Sequence, residues 1–192
     1  MADAPETVPQ GDAVLHPGVP VEVPALGWRA LLKPSLIATA ALIVLADQAT
    51  KALVAAALPL YESVTIVPGL LDFTHVRNTG AAFGLLNSAD MPMKWALMVG
   101  MALVAIVAIG AYGATLKPHE NVARWGLALV LGGAIGNLID RARLGYVLDF
   151  VDVYSGNWHF WAFNVADAAI TVGAILVIFD LLGLRRNASH TV

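Results

Sequence analysis

The sequence predicts an all-α membrane protein: four transmembrane helices with a small extracytoplasmic β-sheet in the first outer loop. Three observations carry this prediction. Hydrophobic residues make up 58% of the 192 residues and charged residues only 13%, against roughly half and a quarter in soluble domains. The apolar residues gather into runs of about 20, the length that crosses a hydrocarbon core of roughly 30 Å. The first two runs are separated by a segment rich in β-branched and aromatic residues and too long for a plain connector.

The elements follow in order. Residues 1–27 are rich in Pro and small residues, carry Asp3, Glu6, Asp12 and Glu22, and contain no Lys or Arg. Such a stretch cannot bury enough surface to offset its ordering entropy, so a disordered cytoplasmic tail is expected. It lacks the basic and apolar regions of a signal peptide. Residues 28–186 form the expected four-helix membrane domain, and 187–192 a short cytoplasmic C-terminal tail. The spans run from about Lys33 to Leu58, Trp95 to Leu116, Asn121 to Arg141 and Asn164 to Leu184. In the loop from about Pro59 to Met93, "SVTIV" and "LLDFTHVRN" are bounded by Pro68-Gly69 and Asn78-Thr79-Gly80. That pattern reads as a small antiparallel sheet on the outer membrane surface. Gly132, Gly133 and Gly136 in the third span allow close helix packing.

Orientation follows from the flanking cations. Arg29, Lys33, Lys117, Arg124, Arg185 and Arg186 fall on one side, read as cytoplasmic. Arg77, Lys94, Arg141 and Arg143 fall on the other. An even number of spans places both termini inside.

With this topology the outer helix ends carry the unusual residues. Asp47 lies about 21 Å along the first helix from Lys33, with Lys51 one turn beyond on the same face. Asn137, Asp140 and Arg141 close the third helix, Asp149 follows, and Asn164 and Asp167 open the fourth. Ionisable groups at such depths are costly and mark functional sites by default. Each also has a structural explanation. Asp47 and Lys51 make an i,i+4 ion pair, Asp140-Arg141 an interfacial anchor, and Asn164 a helix cap with Asp167 favoured by the macrodipole. Asp152 and Glu62 are expected to be solvated, and Asp180, one turn from Arg185 near the cytoplasmic interface, to be structural.

Taken together, Asp149 and Asp167 flank one loop that returns to the same membrane face. Two close carboxylates share a proton, which suits peptide hydrolysis: the ionised one takes a proton from water while the protonated one polarises the scissile carbonyl. Other chemistries lack their residues. The chain has no Cys, which excludes disulfides and thiolate nucleophiles. The five His form no HExxH, so no metal is expected. GxSxG, a Ser–Lys pair, phosphate loops and a basic nucleic-acid surface are missing. A proton channel using Asp47, Asp140 and Asp167 is the alternative from another class, but the inner halves of the second and third helices are apolar. A membrane adaptor would not need two converging carboxylates.

In order, "DQATK", "RNTGAAFG", "GGAIGNLIDR", "VLDF" and "FNVADAAI" closely resemble the motifs of the bacterial lipoprotein signal peptidase (signal peptidase II) family. The resemblance runs from about Leu36 to Leu182. It implies an inner-membrane aspartyl endopeptidase that removes the signal peptide of a prolipoprotein just before its diacylglyceryl-modified cysteine. It implies Asp149 and Asp167 as the catalytic pair, and Asn78, Asn137, Asp140, Arg141 and Asn164 as polar positions around the substrate. Asp47 and Lys51 match a supporting pair. The family's fold includes a small extracytoplasmic sheet beside four helices, and its known inhibitor is the peptide antibiotic globomycin. No cofactor and no nucleic acid are implied, and the motifs demand nothing beyond a monomer. The sheet is expected to cover bound peptide, with Arg77, Asn78 and Phe83 near the site.

Overall fold

The computed structural model describes residues 33–80, 93–116 and 120–183. The two expected tails, Phe83 and Arg185 lie outside the described residues. Among the described residues there are four helices: α1 (Pro34–Ala57), α2 (Lys94–Thr115), α3 (Asn121–Leu144) and α4 (Val165–Leu181). Among the described residues α1, α2 and α3 are long and apolar enough to cross a membrane. The 17-residue α4 spans about 26 Å at 1.5 Å per residue.

Each helix boundary has a local cause. Pro34 opens α1 at a position where its missing N–H is not needed. Gly145 closes α3 in the left-handed region at φ 79°, donating its N–H to the Arg141 carbonyl. Asn164 caps α4: its side-chain oxygen accepts the Asp167 N–H at 3.0 Å.

The helices are arranged inside out relative to a soluble bundle. Leu42, Leu45, Leu53, Val104 and Val107 on α1 and α2 are exposed, while Asp47 and Asn164 are fully buried. Apolar surface that faces lipid incurs no hydrophobic penalty, and charge is driven to the interior. α1 and α3 run parallel, with Ala40 against Gly132 and Asp47 against Gly136. α4 returns antiparallel to α3, crossing it at Gly126 and Gly173 and again where Gly133 meets Ala166. A Cβ on Gly126 would sit 2.6 Å from the Gly173 carbonyl oxygen, and one on Gly173 would sit 2.5 Å from that of Gly126. The glycines expected to permit close packing do so, and they bring the two charged helix ends together.

The sheet differs from expectation. Four antiparallel strands lie in sequence order: β1 (Ser63–Val67), β2 (Leu71–Asn78), β3 (Val147–Ser155) and β4 (Trp158–His159). Only β1 and β2 come from the first outer segment; β3 and β4 come from the connection between α3 and α4. "VLDFVDVYS", expected as part of a loop, is rich in Val, Phe and Tyr, a composition suited to a pleated surface. The β2–β3 pairing sets Val76 opposite Asp149 and Asn78 opposite Val147. A core of Val54, Leu148 and Phe150, with Leu58, Phe73, Val151 and Val165 against it, ties the sheet to the end of α1 and the start of α4.

Candidate active site

The buried polar residues converge where the ends of α1 and α3, the start of α4, and β3 meet. Lys51 occupies the centre. Its ammonium lies 2.8 Å from Asp47 Oδ2 and 2.9 Å from Asp140 Oδ2, and donates to Asn137 Oδ1 at 3.0 Å. Ammonium and carboxylates are all at most 5% exposed, so each charge depends on the others for the solvation it has lost. Gln48 adds a further donor, reaching Asp140 Oδ1 at 2.9 Å, Asp47 Oδ2 at 3.2 Å and the Gly136 carbonyl at 3.2 Å. This glutamine is a site residue missed by sequence reasoning; an amide beside a charged residue inside an apolar helix was the available signal.

The two carboxylates of this cluster also reach outward. Asp47 Oδ1 accepts the Ala166 N–H at 3.0 Å, and Asp140 Oδ2 accepts the Leu148 N–H at 3.2 Å. Ala166 precedes Asp167 and Leu148 precedes Asp149. The Lys51 cluster therefore grips the backbone immediately before each of the two converging aspartates.

Three asparagines hold the aspartates themselves. Asn78 Nδ2 donates to Asp149 Oδ2 at 3.0 Å, and Asn164 Nδ2 to Asp149 Oδ1 at 2.6 Å. Asn137 Nδ2 donates to Asp167 Oδ1 at 2.7 Å. Asn164 also donates to Asn137 Oδ1 at 3.2 Å, so Asp149, Asn164, Asn137 and Asp167 form a continuous chain. Asp149 is 2% exposed, and its carboxyl is pushed up to about 7. Burial is the main cause and the nearby Asp167 charge the second, opposed by the bonds from Asn78 and Asn164 and by Lys51. A carboxyl with that value holds its proton beside a charged neighbour near neutral pH.

Arg141 frames the site from α3. Its guanidinium donates to the Gly80 carbonyl at 3.0 Å and lies within electrostatic reach of Asp167, Asp149 and Asp140. Its carbonyl accepts from the Trp95 indole N–H. The Gly80 N–H turns back to Asn78 Oδ1 at 3.0 Å, so the end of β2 is tied both to Asp149 and to α3. Arg77, expected near the site, instead lies over the Tyr146 ring at 4.7 Å.

Asp47, Lys51, Asn78, Asn137, Asp140, Arg141, Asp149, Asn164 and Asp167 all lie in this one network. The pairs with local explanations serve both purposes: Asn164 caps α4 and donates to Asp149, and the Asp47–Lys51 ion pair also reaches Asn137 and Asp140. Among the residues expected outside it, Glu62 is exposed, whereas Asp152, expected to be solvated, pairs with His159 at 2.8 Å. The described residues contain no His, Asp and Glu grouping suited to a metal. The arrangement can do general acid–base chemistry with one shared proton.

The model of the family described as signal peptidase (SPase) II matches residues 39–183, which includes the whole network. The chain belongs to the signal peptidase II family. Members of that family remove signal peptides from prolipoproteins, and this chain is a protease of that kind. Among similar curated proteins, the lipoprotein signal peptidase of Desulforapulum autotrophicum is 44% identical over 159 residues, covering 82% of this chain and 96% of that protein. That of Solibacter usitatus is 38% identical over 168 residues, covering 88% and 99%. A bacterial membrane enzyme solved by the in meso method at 2.3 Å shares the fold, with a TM-score of 0.71 and 28% identity over 84% of this chain and 95% of that one. The family match confirms the family that the five motifs pointed to.

Proposed function

We propose that this signal peptidase II is an aspartyl endopeptidase whose dyad is Asp149 and Asp167, acting at the outer face of the bacterial inner membrane. The observation that carries the reading is the hydrogen-bonded chain Asp149–Asn164–Asn137–Asp167. It ties the two carboxyl groups together within electrostatic reach of each other, and the Asp149 value of about 7 keeps one proton on the pair.

The ionised member of the pair takes a proton from a water as that water attacks the scissile carbonyl. The protonated member donates to the carbonyl oxygen, where negative charge develops. Collapse of the tetrahedral intermediate breaks the C–N bond, and a carboxyl proton passes to the departing amine. The substrate is a prolipoprotein cleaved just before its diacylglyceryl-modified cysteine, with the lipid held in the bilayer and the peptide at the boundary. α4 serves as the fourth span, both termini are cytoplasmic, and residues 28–186 form the membrane unit. Asn78, Asn137, Asn164 and Arg141 orient the dyad and the peptide; Asp140, Asp47 and Lys51 support them from behind. The sheet covers the bound peptide, and globomycin competes for the same space.

Cleavage of a purified diacylglyceryl-modified prolipoprotein by Asp149→Asn and Asp167→Asn tests this assignment. Both variants should melt near the wild type in detergent and lose at least about 10²-fold in cleavage rate, the scale of general acid–base catalysis. A folded variant that cleaves at the wild-type rate removes that aspartate from the dyad.

A further inference from the structure

At the end of the bundle opposite the dyad, a second feature has no part in peptide cleavage. An apolar groove runs between α1, α2 and α3, lined among others by Ile37, Ala40, Ile109, Gly110, Leu127 and Leu131. It continues into a polar recess where Lys33, Ser35, Asn121 and Trp125 meet. Leu36 and Arg124 line both, so groove and recess form one continuous surface. Arg124 is 2% exposed and closes the Leu116 carbonyl at the end of α2 with a 3.0 Å bond. Lys33 is exposed at the start of α1.

We propose that this recess and groove bind one anionic phospholipid from the leaflet opposite the dyad, headgroup phosphate at Lys33 and Arg124 and one acyl chain along the groove. Charge complementarity selects the occupant. The described lining contributes two cations, Lys33 and Arg124, and no carboxylate. Basic pockets between membrane helices at a membrane surface bind acidic headgroups. The lining below them is apolar, as an acyl chain requires. Trp125 is 43% exposed beside the recess, the level at which indoles settle between headgroups and chains. Because Gly110 has nothing within 4 Å of a built Cβ, that stretch of α2 leaves open width a chain can fill. The lipid would brace α1 against α2 and α3, the helices that carry Lys51 and Asp140 at their far ends.

The experiment uses full-length protein exchanged into mixed micelles holding equal amounts of phosphatidylglycerol and phosphatidylcholine, with retained lipid counted by native mass spectrometry. Wild type should retain phosphatidylglycerol over phosphatidylcholine by about fivefold or more, the scale set by one basic residue at an anionic surface. Lys33→Gln should cut that preference about fivefold, and Gly110→Leu, which fills the groove, should lower retention of both lipids. Along the bundle, Lys33 lies about 24 Å and Gly110 about 15 Å from the dyad, so cleavage in phosphatidylcholine should stay at the wild-type rate and report the fold. Equal retention of the two lipids by wild type overturns the proposal. So does a phosphatidylglycerol preference that both cleavage-competent variants keep.

Discussion

Asp140 accepts the Leu148 backbone N–H at 3.2 Å with the same carboxylate oxygen that lies 2.9 Å from Lys51. A charge on α3 thereby fixes the strand one residue before Asp149. Its effect on catalysis should be positional. Asp140→Ala should lower kcat by about 10- to 100-fold, since displacements near 1 Å at a reacting group cost up to about 10². KM should change little, and steady-state kinetics on a lipidated substrate separate the two. An equal loss spread into KM would mean that Asp140 touches the peptide directly.

On the proposed dyad, a shared proton would set a pH limit. Asp149 is raised to about 7 by burial and by Asp167, so the pair loses its shared proton as pH rises through that value. Cleavage should fall on the alkaline side from about pH 7. Asn78 donates to Asp149 Oδ2 and opposes the rise. Asn78→Ala should therefore move the alkaline limb to higher pH while lowering the maximum. The linkage to stability has the same origin. The folded carboxyl keeps its proton between the ordinary value of 3.8 and about 7, where the unfolded one has released it, so this group's contribution to stability declines across that window as pH rises.

Much of this site was legible because ionisable side chains inside apolar runs are rare and expensive. Asp47, Lys51, Asp140 and Asp167 stand out on those grounds alone, with the polar Asn137 beside them. Asp149 does not; its assignment needed the return of the α3–α4 connection to the same face. The strand β3 stayed hidden because its partner β2 lies about 70 residues away and no local pattern encodes that register, and the two-residue β4 pairs only with β3. Gln48 was passed over because an amide between two charged residues looks like filler until its three acceptors are seen in space.

The buried Lys51 cluster and the exposed Asp152–His159 pair should behave differently. Lys51 is buried among two carboxylates, and Lys51→Met leaves both without their cation; removing one partner of such a buried pair costs about 3 to 5 kcal/mol. Thermal unfolding in detergent should show this as a marked drop in Tm. His159 is 52% exposed against Asp152, and a solvent-screened pair of that kind contributes at most about 1 kcal/mol. Asp152→Asn should therefore leave Tm and cleavage close to wild type. A large effect of Asp152→Asn would assign that hairpin a role in peptide binding.

The approach of α4 to α3 carries a last prediction. A Cβ on Gly133 would fall well inside contact distance of the Ala166 carbonyl oxygen and 2.8 Å from Ile170 Cγ1. Gly133→Ala must push α4 outward by about 1 Å to restore ordinary carbon contacts, at a cost of about 1 to 3 kcal/mol. Ala166 would then pull away from Asp47 Oδ1, and Asp167 from Asn137, so cleavage should fall further than the loss of stability alone explains. Gly100 in α2 supplies the contrast: a Cβ there meets nothing within 4 Å, and Ala is the better helix former by up to about 1 kcal/mol. Gly100→Ala should match or exceed the wild-type Tm and cleave normally. If Gly133→Ala also cleaves normally, the position of Asp167 does not depend on the α3–α4 crossing.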